Sequence, residues 1–249
     1  MRYVCSRFDL VMTLGAQRAI SEPAARRLLR YLDYLETAVA DGMPTVSSSQ
    51  LGAVADASAS QVRHDLMSLG RKGKRGEGYE VASLRTALRQ EFGLDRRWRV
   101  CLIGVGKLGA ALLEHEAFVR RGFDIIAAYD VNPTRVGTQL GGVAVRGVHE
   151  LASDAQRLGL EIAIVTTPQA AVNEVLQLIR TTQIEGVLNF ADGIPDRLAN
   201  EIVVHSVDMT SALGLVAFDI IRLQAQERAR SSLSTPPSRA SKSRNDTEE

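Results

Sequence analysis

The segment Val100-Cys101-Leu102-Ile103-Gly104-Val105-Gly106-Lys107-Leu108-Gly109 constrains this chain more than any other. An apolar run enters G-x-G-x-x-G, and a helical pattern leaves it. Asp130, 21 residues past Gly109, closes the next apolar run, Ile125-Ile126-Ala127-Ala128-Tyr129. Together they read as the βαβ unit that sets a pyrophosphate on a helix N-terminus and a ribose on an acid. Gly104 allows the tight turn, Gly106 lets the backbone approach the pyrophosphate, and Gly109 lets helix and strand pack closely. Asp130 is expected to accept hydrogen bonds from the adenine ribose. Its charge repels a 2′-phosphate, which favours NAD(H) over NADP(H). Arg135 lies close enough to complicate that preference; its bland reading is a solvated surface cation.

The second half of the chain continues the alternation. Strand candidates are Val100–Gly104, Asp124–Tyr129, Val143–Val145, Glu161–Thr166, Gly186–Asn189 and Ile202–Val207, with helices such as Leu108–Val119 and Ala170–Thr181 between them. The pattern predicts a doubly wound parallel sheet, a Rossmann domain of α/β class. Ligands bind such sheets at the carboxyl ends of the strands. Thr166-Thr167-Pro168 and Asn189-Phe190-Ala191 end two strands there and are expected to line a nicotinamide pocket. Lys107 either reaches a phosphate or points into water. A final helix from Thr210 to about Gln226 carries Leu213, Leu215, Val216, Phe218, Ile220, Ile221 and Leu223, apolar nearly all round. Such a helix needs burial on several sides. The sheet is expected to cover one side and a partner subunit the rest.

Ninety-nine residues precede Val100, enough for a small domain. Ser21-Glu22-Pro23 starts a helix, with Ser21 as cap, that presents Leu28, Leu32 and Leu35 on one face and stops at Asp41-Gly42. Thr45 to Ala55 reads as a second short helix, capped by Ser47 or Ser48, with Leu51, Val54 and Ala55 inward. Ser58 and Gln61 form a capping box for a third, whose inner face is Val62, Leu66 and Leu69. Two short helices joined by a tight turn are a helix-turn-helix. Arg71-Lys72-Gly73-Lys74-Arg75-Gly76-Glu77-Gly78 follows as a basic hairpin, with Tyr79 and Val81 alternating as a returning strand would. The sum is a winged helix, closed by a helix from Ser83 to Phe92. Its expected DNA-binding residues are Ser47, Ser60, Gln61, Arg63 and His64 near the major groove, and Lys72, Lys74 and Arg75 on phosphates or in a minor groove.

Composition sets few further bounds. The 249 residues are 45% hydrophobic, and 30 cations against 29 acids give a net charge of +1. Cys5 and Cys101 make no disulfide framework, which fits a reducing compartment. No apolar run approaches the ~20 residues of a membrane span, and no secretory signal is read, so a soluble cytoplasmic protein is expected. No metal cluster or catalytic motif is read; a hydride-transfer enzyme needs an acid–base group beside its substrate. None of His64, His115, His149 and His205 lies in a motif tied to catalysis. The expected organisation is an N-terminal extension at 1–20, a winged helix at 21–95, a Rossmann domain at 96–207, a helix at 208–228 and a disordered tail at 229–249.

The chain resembles the Rex family of bacterial redox-sensing transcriptional repressors from about Ser21 to Gln226. The resemblance rests on Ser48-Ser49-Gln50-Leu51, Gln61-Val62-Arg63-His64-Asp65-Leu66, Gly73-Lys74-Arg75-Gly76-Glu77-Gly78-Tyr79, the glycine loop, Tyr129-Asp130-Val131-Asn132-Pro133, Gly186-Val187-Leu188-Asn189-Phe190-Ala191 and Val207-Asp208. It implies a homodimer whose final helix is swapped into the partner and which reads a pseudo-palindromic double-stranded operator. It also implies that NAD⁺ permits DNA binding and NADH releases it. In the family an Asp at the head of the swapped helix pairs with an Arg of the first helix or with a Tyr near the nicotinamide. Asp208 matches that Asp, whereas Asp33 and His115 stand at the Arg and Tyr positions. An approach of Asp33 to Asp208 is repulsive where the family has attraction, and His115 offers a hydrogen bond whose charge changes near neutral pH. Other departures are Ser68-Leu69 before Gly70, where the family has Tyr-Phe, His64 where Lys is common, and Asp192 where Pro is common. The reading is therefore a redox-sensing repressor. Its alternative is a similar regulator whose Rossmann domain binds another nucleotide or serves dimerisation alone. An NAD-dependent oxidoreductase is the weaker third.

Overall fold

The computed structural model describes residues 20–191, 197–198 and 202–233. The expectations for the N-terminal extension, for Asp192 and for most of the tail fall outside them. The chain divides into two compact units at Arg97/Trp98, with the short segment Arg120–Gly122 grouped with the first.

In the first unit α1 (Glu22–Ala40) begins at Ser21, with Pro in its first turn. The Ser21 side chain makes no capping bond, so it starts the helix by its extended backbone alone. Asp41 and Gly42 end it as expected. Leu28, Tyr31, Leu32, Leu35 and Ala38 are buried on its inner face, each Leu contributing roughly 1.5–3 kcal/mol by its burial. Thr45-Val46 is not helical. It forms β1, antiparallel to β2 (Tyr79–Glu80), because β-branched residues suit a strand that closes the wing. Helix α2 (Ser48–Ala55) follows with Ser47 as its cap, and α3 (Ala59–Ser68) is capped by Ser58. Leu51 and Ala55 are buried, while Val54 faces out at 39% exposure, so the second helix has a narrower apolar face than expected. Lys74 and Gly78 bridge the wing. Val81 does not extend the returning strand; it opens α4 (Val81–Glu91) and is buried as that helix's first residue. Glu36 of α1 receives both Arg85 and Arg89 of α4, at 2.7 and 2.9 Å.

The second unit is the parallel sheet. In chain order its elements are β3 (Trp98–Ile103), α5 (Lys107–Leu113), α6 (Ala117–Arg120), β4 (Phe123–Asp130), β5 (Gln139–Leu140), β6 (Val143–Gly147), α7 (Leu151–Leu158), β7 (Ile162–Val165), α8 (Gln169–Arg180), β8 (Gly186–Asn189), β9 (Arg197–Leu198), β10 (Ile202–Ser206) and α9 (Met209–Leu233). The sheet order is β5-β6-β4-β3-β7-β8-β10-β9, with the two outermost strands antiparallel. The order reverses between β3 and β7, which is where such a sheet opens a ligand crevice. The expected helix from Leu108 to Val119 is two pieces, broken around His115.

The apolar runs of the sequence become two cores through the two-residue period of a strand. Cys101, Ile103, Ala127, Tyr129, Ala163 and Val165 face one core, and Val100, Leu102, Ala128 and Ile164 face the other. Cys101 is a buried hydrophobe whose thiol is pushed up to about 12 by burial. Helix α9 differs from the expectation in one respect. Among the described residues no side of it is covered by the sheet: Leu213, Phe218 and Ile221 are 70%, 56% and 64% exposed. The described residues of a single chain therefore leave its apolar circumference open. Among the described residues no helix is long and apolar enough to cross a membrane.

Candidate functional site

The glycine loop lies at the mouth of the switch point. Gly104 has φ +97°, and a Cβ there would lie 2.9 Å from the backbone of Thr166 and Thr167. Only glycine satisfies both conditions. A Cβ on Gly109 would sit 2.2 Å from the Gly104 carbonyl oxygen. The middle glycine, Gly106, has nothing within 4 Å of a Cβ position, so its backbone is open to an approaching group. The Thr166 hydroxyl donates to the Gly104 carbonyl at 2.5 Å and ties the end of β7 to the loop.

Asp130 locks the far side. Its Oδ2 accepts the Val105 N–H at 2.8 Å, and its Oδ1 accepts the Asn132 N–H at 2.8 Å. Arg135 Nη1 donates to Oδ2 at 3.1 Å. Burial pushes the carboxyl up, but the bonds from Asn132, Arg135 and Val105 outweigh it and hold Asp130 below the usual range. It is ionised at neutral pH and is an acceptor only.

A cavity of about 970 Å³ joins these parts. Gly104, Gly106, Lys107, Leu108, Asp130, Thr166, Thr167 and Pro168 line it, so that the two halves of the expected binding set meet. A smaller pocket of about 400 Å³ adjoins Asp130 between Val131, Pro133, Val136, Val148 and His149. Thr167 Oγ1 is buried and has no hydrogen-bond partner among the described residues. Such an atom is costly unless a ligand satisfies it. The open Gly106 backbone, the acceptor at Asp130 and this orphan hydroxyl fit a dinucleotide.

Other expected residues lie elsewhere. Asn189, Phe190 and Ala191 do not line the cavity. Asn189 is fully buried and donates to the Ala191 carbonyl at 2.7 Å and to Ser206 at 3.3 Å, so its amide folds the chain end back on itself. His115 is exposed at the break between α5 and α6, edge-on to Phe118 with ring centroids 5.7 Å apart. Asp208 caps α9 by accepting the Ser211 N–H at 2.8 Å and its hydroxyl at 2.5 Å; those bonds hold its pKa low. Asp33 is ion-paired with Arg121 at 2.9 Å. Val148, Val175 and Leu178 line the cavity without having been expected, because a helix face in a parallel sheet shows only apolar periodicity in sequence.

The winged helix presents a second candidate surface. Ser60, Arg63 and His64 are exposed on α3, and Arg71, Lys72, Lys74 and Arg75 are exposed on the wing. Arg63 donates to the Ser48 hydroxyl at 3.2 Å, which places its guanidinium by the first turn of α2. Two expected readers are already committed. The Ser47 hydroxyl is spent in a capping box with Gln50. Gln61 does not complete the box expected with Ser58: the Ser58 hydroxyl accepts the Gln61 N–H, and the Gln61 amide donates instead to Asp65 at 2.9 Å.

Asp65 is the centre of a network the sequence analysis did not single out. It is buried on α3 and takes both forks of Arg27 at 2.7 Å and the Tyr31 hydroxyl at 3.1 Å. Burial and the Asp65 charge push the Tyr31 hydroxyl up to about 12. The signal was present: Asp65 follows Val62 by three and precedes Leu66, so an acid falls on the apolar face and demands a cation.

The comparisons agree with both halves. Residues 19–66 match the family model "Putative DNA-binding protein N-terminus", and residues 95–193 match "CoA binding domain". The redox-sensing transcriptional repressor Rex of Maridesulfovibrio salexigens is 36% identical over 205 residues, covering 82% of this chain and 98% of the relative. Rex of Thermus thermophilus is 36% identical over 210 residues, covering 84% and 97%. Among solved structures, RSP, a Rex-family repressor, matches with TM-score 0.77 and 26% identity over 85% of this chain and 98% of that one. RSP is also known in complex with β-NAD⁺ and operator DNA (TM-score 0.77, 26% identity, 85% and 97% covered) and with β-NADH (0.74, 27%, 85% and 99%).

Proposed function

The chain belongs to the Rex family of redox-sensing transcriptional repressors, and from that membership we propose how its own residues perform the function. It is a repressor that binds operator DNA as a homodimer, is released by NADH and responds to the NADH/NAD⁺ ratio. The observation that carries this reading is the lock between Asp130 and the glycine loop, where one carboxylate holds the Val105 N–H beside a 970 Å³ cavity. The backbone at Gly106, Lys107 and Leu108 holds the pyrophosphate, and Asp130 holds the adenine ribose. Thr166, Thr167 and Pro168 face the nicotinamide half, with the orphan Thr167 hydroxyl as donor or acceptor. The bound dinucleotide supplies a redox-dependent charge and shape on the nicotinamide; it is a ligand here, and no hydride needs to move.

DNA is read by Ser60, Arg63 and His64 of α3 in the major groove, and Lys72, Lys74 and Arg75 supply phosphate or minor-groove contacts. Helix α9 of each chain is swapped into the partner, which covers the apolar circumference left open in one chain. Two winged helices on a two-fold axis then require a pseudo-palindromic site. NADH acts by linkage. It shifts DNA affinity by as much as it prefers the non-binding arrangement of the dimer, and no more.

The test is a fluorescence anisotropy titration on an operator selected from random duplex DNA by the full-length protein. NADH is expected to release the DNA at concentrations where NAD⁺ does not. A complex indifferent to both supports the second reading, a Rex-like regulator that no longer senses redox state. The Asp33–Arg121 pair favours that reading, because an acid stands, already neutralised, where the family has the arginine of its switch.

A further inference from the structure

We propose that Arg135 sets how this site discriminates a 2′-hydroxyl from a 2′-phosphate on the adenine ribose; the inference rests on the dinucleotide reading above. An ionised carboxylate offers about four acceptor positions. On Asp130, Asn132 fills one on Oδ1, and Val105 and Arg135 fill two on Oδ2. About one position remains, while a ribose brings two hydroxyls. A ribose diol therefore either meets Asp130 through a single bond or displaces the guanidinium.

Arg135 is not a loose surface cation. Its N–H donates to the Asn132 carbonyl at 3.0 Å, and its own carbonyl accepts the Thr138 N–H at 3.0 Å and the Thr138 hydroxyl at 2.6 Å. The Asn132 side chain in turn accepts the Thr134 N–H and hydroxyl, at 3.0 and 2.8 Å. The loop thus fixes where the side chain begins. Its end is 42% exposed over a carboxylate that is 6% exposed, so the guanidinium covers Asp130 from the solvent side.

This arrangement changes the electrostatics of the subsite. A bare aspartate repels a 2′-phosphate. Here the charge is compensated at 3.1 Å by a group suited to bind phosphate through two parallel N–H donors. The site is less hostile to NADP(H) than Asp130 alone would make it, and Arg135 is the reason. Removing Arg135 frees an Oδ2 acceptor for a ribose hydroxyl and leaves a 2′-phosphate facing an uncompensated carboxylate.

The test is isothermal titration calorimetry of NADH and NADPH against full-length wild type, Arg135→Ala and Arg135→Gln at one ionic strength, with thermal melts to confirm that each is folded. In both variants the ratio of the NADPH to the NADH dissociation constant is expected to rise about tenfold or more, a loss of one charge-assisted contact. NADH affinity is expected to hold or tighten. A ratio that stays within about threefold of wild type, an equal loss of both ligands, or a wild type that binds NADH with no measurable NADPH binding overturns the inference alone. A wild type that binds neither dinucleotide overturns the dinucleotide reading, and the inference with it.

Discussion

The Val105 N–H donates to Asp130 Oδ2 at 2.8 Å across 25 residues of sequence. The glycine loop and Asp130 are therefore one hydrogen-bonded unit, and the acid has a structural duty besides any duty to a ligand. Replacing it removes an acceptor from two backbone N–H groups at once, those of Val105 and Asn132. Asp130→Ala is expected to weaken NADH binding by about 10- to 100-fold, the range of a charge-assisted hydrogen bond. Calorimetry measures the loss, and a lowered melting temperature in the absence of ligand reports the structural share.

Gly109→Ala tests the close packing of the loop. Its Cβ would lie 2.2 Å from the Gly104 carbonyl oxygen, a backbone atom that cannot move without opening the turn. Overpacking of this kind costs about 1–3 kcal/mol. A lower urea midpoint and loss of NADH binding are expected together. Wild-type NADH affinity in this variant would show that the loop does not hold the pyrophosphate.

On the DNA side, Lys74→Ala is expected to weaken binding to all duplexes alike and to lower the salt slope by about 1, as loss of one phosphate contact does. Arg63→Ala is expected to cost about 1–3 kcal/mol on the selected operator and little on unrelated DNA. Anisotropy titrations at several salt concentrations separate the two. Equal behaviour of the variants would remove Arg63 from base reading.

The Arg27–Asp65 pair predicts a stability effect with a defined pH window. Arg27 is 23% and Asp65 1% exposed, so Arg27→Met leaves a buried carboxylate without its cation, at a cost of about 3–5 kcal/mol. Burial alone pushes Asp65 up; the bonds from Arg27, Gln61 and Tyr31 more than reverse this and leave it lowered. A lowered folded pKa stabilises fully above the unfolded value of about 3.9 and is lost as pH falls through the folded value. Wild-type urea midpoints are expected to fall only in that acid range. In Arg27→Met, where burial is opposed only by Gln61 and Tyr31, that fall should shrink, and it reverses if Asp65 titrates above its unfolded value.

Phe218→Glu tests the partner role of α9. Phe218 is 56% exposed within one chain and ranks with Leu213 and Ile221 among the large apolar groups left open there. Burying an unpaired carboxylate in a dimer interface is strongly unfavourable. Analytical ultracentrifugation is expected to show a shift from dimer toward monomer, with loss of operator binding at the same protein concentration. An unchanged dimer would place the interface elsewhere.

Much of this was legible in sequence, and for a local reason. The helix starts at Pro23, Ser47 and Ser58, the stop at Gly42, and the strand into Gly104 are set by residues that touch their own neighbours. The departures lie where a segment or side chain finds a partner that spacing alone does not show. Thr45-Val46 became a strand because Tyr79-Glu80 lies beside it. Gln61, read as a DNA contact, also donates its amide to Asp65, one turn on in the same helix. Asn189 left the expected pocket because its buried amide had to be satisfied, and Ala191 and Ser206 were within reach.

The sequence by itself determined the main strand–helix alternation of the second half, the glycine loop, the acid that closes the next strand and the basic wing, since each follows from spacing and from the conformations single residues allow. It left Arg135 between a surface cation and a ligand contact. Only the tertiary structure decided that Arg135 lies on Asp130, that Asp33 is paired with Arg121 and that Asp65 anchors α3 to α1. Those pairings join residues whose separation in space is fixed by loops and packing, and a hydrogen bond or ion pair is felt only over a few ångströms.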